Sequence, residues 1–437
     1  MGLSISGLSS GIDWKSMIEQ LEQVEVAAKI NPLNTQKAKY QNKVSAWDSL
    51  GSKLSSLLSA VGNLKDSTDY NVFAVSLSSS SASVSADSIL SATAGSNVSK
   101  GTYDIKVTQL AQAEKVQSVS VAAQDGDAGW SGSITLEGHE ISLDGKSLQS
   151  IRSDINALNS GDNPSGVIAS ILQVSSDDFR LILTAEETGS AGIDLSESPY
   201  FDPASLQAGQ DAQFSIDGIA MTRSSNTVTD AIPGLTLNLL SDDAPTTAIT
   251  VKVDRDEQAV EGKIQTLVDG YNSVISYINS QMTYNQETNT TGGALFGDTM
   301  LKSIKSNLQN TILAADLSGY GISFDRNGKL TLDSDDLQSA LDSDFAATEA
   351  AFTGFSESLN TLLNNLTDSI DGTVTLQKKS AQDTVGRLEK KITNTQDLID
   401  RKMSALTSQY IVMEAALSEM QSLSDWLGTQ LSSLSSK

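Results

Sequence analysis

The capacity of this chain for chemistry is bounded by its rarest side chains. Its 437 residues include one His and no Cys, which excludes a thiol nucleophile, a disulfide framework, a thiolate metal site and a multi-histidine metal site. Any Ser-His-Asp mechanism would have to pass through His139. That residue lies in Glu137-Gly138-His139-Glu140, a pattern that reads as a turn between two short strands. Acidic and amide side chains recur at Asp325, Asn327, Asp333, Asp335 and Asp336, as they do in a calcium loop. The spacing fails, because Gly328 follows Asn327 directly and no Glu closes a loop that starts at Asp325. A turn followed by a helix cap accounts for the same residues. Asp254-Arg255-Asp256-Glu257 also gathers carboxylates, but it stands where a strand gives way to a helix, and acidic residues there complement the helix dipole. Neither Gly292-Gly293 nor Gly218 leads into the Lys-Ser/Thr of a phosphate loop. No catalytic, cofactor-binding or metal-binding residue is therefore assigned, and no enzymatic activity is expected.

Charge narrows the partners. Lys and Arg total 29 against 54 Asp and Glu, a formal net charge of −25 that repels nucleic acid and anionic membrane surfaces. No run approaches the roughly 18 to 20 apolar residues of a membrane helix, so membrane insertion is not expected. Met-Gly-Leu-Ser-Ile-Ser lacks the basic start and apolar stretch of a secretory signal, and its fit to a myristoylation pattern is read as chance.

The elements that would position any site are helical at both ends and strand-like between. From Asp13, an N-cap, the residues Met17, Ile18, Leu21, Val24 and Ala28 recur at helical spacing until Asn31-Pro32 breaks the run. A second, long helix follows from Tyr40 through Trp47, Leu50, Leu54 and Leu57 to Leu64, at steps of three and four. At the far end, apolar positions from Leu388 through Ile399, Met403, Leu406, Tyr410, Met413, Leu417, Met420, Leu427 and Leu431 to Leu434 cover 46 residues in 13 steps, about 3.54 per step. That period predicts a coiled-coil seam. The other face is Ser, Thr, Gln, Asn and Asp with few ion pairs, so both terminal helices are expected to be marginal until partnered. Leu21, Val24, Leu406, Met413, Leu417, Met420, Leu427 and Leu431 are the candidate oligomerisation or filament contacts.

Between the ends, alternation predicts strands near 72–77, 103–107, 134–136, 140–143, 167–171, 179–183, 214–216, 235–239 and 249–253, with one helix over 147–158. Helices resume at Glu257 and again at Met300. Gly321 to Leu332 predicts a hairpin with a type I′ turn at Asn327-Gly328, and Asp333 caps the next helix. The fold class is α+β and multidomain, with coiled-coil or bundle legs from the two termini and mainly-β domains inserted between them. The expected domains are a terminal coiled coil of 1–42 with 395–437, a helical bundle of 43–75 with 257–394, a β domain of 76–130 with 205–256, and an outer β-rich domain of 131–204.

Several motifs then point to one family. Ile5-Ser6-Gly7-Leu8-Ser9-Ser10-Gly11-Ile12-Asp13 closely resembles the start of the flagellar hook-associated protein 2 family, the filament cap family. Gly101 to Ala111, Ile216-Asp217-Gly218 through Ser225-Asn226-Thr227-Val228 to Leu237, Tyr271-Asn272, the Gly321 to Leu332 hairpin and Glu414 to Gln421 resemble further family motifs, in family order. The resemblance implies a secreted, extracellular protein at the flagellar filament tip. There it would form a ring-like homo-oligomer of about five copies that promotes folding and insertion of exported flagellin. Implied partners are other copies of itself, flagellin, a hook-associated junction protein, the flagellar export apparatus and an export chaperone, with no cofactor. Two other readings stand beside it: a hook-filament junction protein, against which the Ser6 to Asp13 start argues, and a surface-exposed adhesin.

Overall fold

The computed structural model describes residues 11–160, 162–202, 204, 206–285 and 290–435. The Ile5 to Ser10 part of the opening motif and the side chain of Leu434 lie outside the described residues. Along the chain come α1 (Trp14–Lys29), α2 (Asn31–Gly62), β1 (Phe73–Ser79), α3 (Ala86–Ile89), β2 (Leu90–Ala94), β3 (Gly101–Gln109) and β4 (Lys115–Gln117). Then follow β5 (Ser133–Leu136), β6 (His139–Ser142), α4 (Leu148–Ala157), β7 (Val167–Ser175), β8 (Asp178–Ala185), β9 (Ala212–Ile216) and β10 (Ile219–Arg223). The remainder are β11 (Thr227–Ile232), β12 (Leu235–Leu239), β13 (Ile249–Arg255), α5 (Glu257–Met282), β14 (Tyr284–Asn285), β15 (Thr290–Thr291), α6 (Thr299–Ala315), β16 (Ile322–Phe324), β17 (Leu330–Leu332), α7 (Ser334–Ser343), α8 (Phe345–Thr367) and α9 (Thr373–Ser435). They form two compact units, one of residues 1–67 with 261–437 and one of 68–260.

In the helical unit, α2 packs against α8 and α9. The seam read from the sequence is its buried face: Trp47, Leu50, Leu54, Leu57 and Val61 are all buried, each worth about 1.5–3 kcal/mol by area. Gly270 of α5 sits where a Cβ would come 3.5 Å from the Leu57 Cα, which allows the two helices their close approach. α1 ends and α2 begins at Ile30, with a proline at the start of α2, where its missing N–H costs nothing.

Tyr271 and Asn272 tie α5 to the β16–β17 hairpin. The Tyr271 hydroxyl donates to the Gly328 carbonyl at 3.0 Å, and burial pushes its ionisation well above the ordinary tyrosine range. The hairpin turn differs from the expected type I′. Only Gly328 of the loop has a positive φ, at 77°, and its N–H donates to the Asp325 carbonyl at 3.1 Å, giving a type I turn closed by a left-handed glycine. The reason is the Asp325 carboxylate, which accepts from the N–H groups of Asn327 and Lys329 at 2.8 Å each and so holds the turn from inside. Two-residue loops with positive φ at both positions occur instead at Glu137-Gly138 (49° and 78°) and Asp217-Gly218 (52° and 80°).

The β unit has two hydrophobic cores. The first lies between a five-stranded antiparallel sheet in the order β1-β13-β3-β9-β10 and a three-stranded sheet β11-β12-β2. Its two motif segments meet through Asn226, whose side chain accepts from the Ala111 N–H at 2.7 Å and donates to the Ala111 carbonyl at 2.9 Å. The second core is covered by the sheet β4-β8-β7, the β5–β6 hairpin and α4, which Ser147 caps. Two boundaries differ from the sequence reading. β1, read as a strand near 72–77, starts at Phe73 inside the range 43–75 given to the bundle domain, and the second core takes in Val116, Val121 and Trp130, ahead of residue 131. Strands as short as β4, three residues long, carry too little alternation to be read alone.

Candidate functional site

Several of the acidic groups considered for chemistry are engaged in structure. Asp333 accepts from the N–H groups of Asp335 and Asp336 at 3.1 Å and caps α7, while Asp256 accepts from Ala259 at 2.9 Å at the start of α5. Asp254 is not part of that cap, because its carboxylate lies between Lys100 at 2.7 Å and Lys252 at 3.0 Å, which hold its pKa down at about 2. His139 opens β6, opposite Leu136, and its Nε2 lies 3.3 Å from the Asn163 amide. Among the described residues no group of three or more His, Asp or Glu could hold a metal ion. No described helix is long and apolar enough to cross a membrane.

The feature with an unsatisfied surface is the antiparallel pair of α1 and α9. Ile30, Ile399 and Met403 are buried at its centre, flanked by Ile18, Val26, Ile392 and Leu406. Trp14 stacks on Tyr410 with ring centroids 4.2 Å apart, and its Nε1–H donates to Glu414 at 2.8 Å. Nearer the α1–α2 corner, Glu25 pairs with Lys29 within its own helix and with Lys402 across the pair, both at 2.6 Å. The two ammonium groups hold the Glu25 carboxyl at about pKa 2. A second cross-helix ion pair, Lys37 with Glu389 at 3.9 Å, lies on the α2 side of the corner.

Two helices cannot cover each other on all sides. A groove of about 740 Å³ runs along one flank, lined by Trp14, Ile18, Met403, Tyr410 and Glu414, and one of about 280 Å³ runs along the other. The second is lined by Leu21, Val24 and Leu406, three candidates that the fold brings together. The others lie further along α9. Met413 and Leu417 are half-buried, whereas Met420 and Leu431 are each 67% exposed and Leu427 is exposed as well. Past Glu414, α9 continues 21 residues to Ser435, roughly 30 Å of helix, carrying an apolar stripe through Leu423, Trp426 and Leu427 to Leu431. This row leaves apolar surface uncovered along the end of α9 among the described residues.

Sequence reasoning missed Trp14, Glu25 and Lys402. The Glu25-Lys29 spacing of four was a readable signal, but the Lys402 partner lies 377 positions away and only the antiparallel register reveals it.

Two models of one family match the chain: Flagellar hook-associated protein 2 N-terminus over residues 10–114 and Flagellar hook-associated protein 2 C-terminus over residues 209–422. Flagellar hook-associated protein 2 of Escherichia coli K12 is 28% identical over 477 residues, covering 98% of each chain. The B-type flagellar hook-associated protein 2 of Pseudomonas aeruginosa is 24% identical, again covering 98% of each. The crystal structure of domains D1-D2-D3 of the flagellar cap protein FliD from Escherichia coli is similar with a TM-score of 0.61 at 27% identity, covering 77% of this chain and 99% of that one.

Proposed function

Because this chain belongs to the flagellar hook-associated protein 2 family, we propose that it is a structural subunit of the cap at the distal end of the bacterial flagellar filament. It is not an enzyme. Copies of the chain form a ring of about five, exported to the outside of the cell, and the ring holds flagellin subunits while they fold and insert. An export apparatus and an export chaperone handle the chain before assembly, and a hook-associated junction protein underlies the first cap. The observation that carries the reading is the exposed apolar stripe of α9 beyond Glu414, which has no covering helix among the described residues. Such a stripe is stabilised by neighbouring helices, from other copies or from the filament end, at about 1.5–3 kcal/mol per apolar side chain covered.

Replacing Leu417 and Leu427 together with Asp tests this, since each charge loses the apolar burial and adds a desolvation cost in any partnered state. The double variant is expected to lose motility and leak unpolymerised flagellin, while the thermal melt of the isolated chain stays within about 2 °C of the parent. Retained capping by the double variant overturns the reading. A large drop in the melting temperature of the dilute chain would instead place these leucines inside the subunit.

A further inference from the structure

The two cores of the β unit share no residue, and what joins them is polar. The chain leaves the first core at Ala111, enters the second at Val116 and is back in the first at Ala212. Residues 112–115 and 207–211 belong to neither core. They pair as a short antiparallel crossing, Gln112 with Gln210 and Lys115 with Gln207. Glutamine amides brace it: Gln207 donates to the Ala113 carbonyl and Gln210 to the Leu110 carbonyl, each at 3.0 Å, and Gln109 donates to the Asp211 carbonyl at 2.8 Å. A ribbon of two strands without a core of its own is marginal and yields to bending.

A third segment is laid across it. After β8 ends at Ala185, residues 186–193 run from the second core back to the crossing and reach the first. The Gly189 N–H donates to the Gln112 carbonyl at 3.1 Å. The Thr188 hydroxyl donates to the Ser224 carbonyl at 2.6 Å, in the loop between β10 and β11. Ser190 donates its N–H and its hydroxyl to the Asp211 carboxylate at 2.7 and 2.9 Å, and the Ile193 N–H donates to Glu114 at 2.6 Å. Gly189 is buried at the tip with φ at 121°, and a Cβ there would stand 2.7 Å from the Ser224 Cβ, so a side chain is both strained and obstructed. Of these eight residues only Ile193 packs against a core.

We propose that residues 186–193 are a latch that locks the second core to the first, and that its release lets the second core swing about the crossing of 112–115 with 207–211. The tip grips through hydrogen bonds that water can replace, and no member of either core lies at 186–192 to oppose opening. Both cores keep their apolar contacts when the tip lifts. The stiffness of the β unit is therefore held by a few polar contacts, and a partner that draws 188–190 off Ser224 and Asp211 unlocks it.

The absence of native Cys lets two spin labels be placed in the full chain, through Ser78→Cys on β1 of the first core and Ser153→Cys on α4 of the second, both exposed. Pulsed EPR is expected to give one narrow distance distribution between them. Adding Thr188→Val with Asp211→Ala removes three bonds of the latch and should at least double that width. Gly189→Val should do the same by wedging the tip open. Ser224→Ala is the control, because it keeps the carbonyl that Thr188 binds, and should leave the width unchanged. Amide exchange at Leu181 and Leu183 of β8 follows the fold of the second core and should stay slow in every variant. A parent that is already broad, or latch variants as narrow as the parent, would overturn the proposal. So would fast exchange in β8 of the latch variants, which would make the segment part of the core it springs from.

Discussion

Asn272 binds both backbone polar groups of Leu330, donating to its carbonyl at 2.8 Å and accepting from its N–H at 2.7 Å across 58 positions of sequence. The pair fastens the edge of the β16–β17 hairpin to α5 with a side chain in place of a third strand. Asn272→Ala removes both bonds and leaves two part-buried backbone groups unmet, an expected loss of about 1–3 kcal/mol. Denaturant unfolding of the full chain measures it, and a change below about 0.5 kcal/mol would show that the hairpin is held by packing alone.

None of the residues of α1 is fully buried, so its docking rests on partly exposed contacts, among them the Trp14–Tyr410 stack. An aromatic pair is worth about 0.5–1.5 kcal/mol beyond its area, so Trp14→Ala should speed amide exchange in α1 roughly two- to tenfold. The β unit, with its own cores, should exchange as before. Unchanged exchange in α1 would refute this role for the stack.

Glu25 has a pKa of about 2 in the folded chain, against an ordinary value of 4.5. The shift is downward, so its pairing stabilises the α1–α9 pair fully above pH 4.5 and is lost as pH falls from there through about 2. Amide exchange or proteolysis of α1 followed across that window should show loosening. In Glu25→Gln, α1 should be looser at neutral pH and its response to acid in that window reduced. The difference between the two proteins should shrink in molar salt, because the ammonium partners are solvent-facing. Identical acid profiles for the two proteins would rule out Glu25 as the titrating group.

His139→Ala should leave motility intact and stability within about 0.5 kcal/mol, since the imidazole is half-buried and its hydrogen bond is a long one of 3.3 Å to the exposed Asn163 amide. A thermal melt and a swarm assay check it. Loss of motility with an unchanged melt would reopen chemistry at this position.

Periodicity is a local property, and what depended on it was legible. The seam from Trp47 to Val61 is buried as its spacing required, Asp13 and Asp333 cap α1 and α7, and the helix read over 147–158 is α4. The absence of Cys and the single His bounded the chemistry from composition alone. Motifs at Gly101 to Ala111 and Ser225 to Val228 marked the family, although nothing in their letters said that Asn226 would clamp Ala111.

Tertiary structure decided whatever depends on residues far apart in the chain. The Asn-Gly pair at Asn327 promised a type I′ turn, but the Asp325 carboxylate and the grip of Asn272 on Leu330 select a type I turn with a glycine bulge. Leu21 and Leu406 became one groove only once α1 and α9 ran antiparallel, a register fixed by Trp14 on Tyr410 and Glu25 on Lys402. Among the described residues even the α9 seam, even in spacing from Leu388 to Leu431, divides into a half that α1 covers and a half beyond the reach of that helix. A repeat states which face of a helix is apolar; where along the helix that face finds a partner is set by the length and placement of other segments.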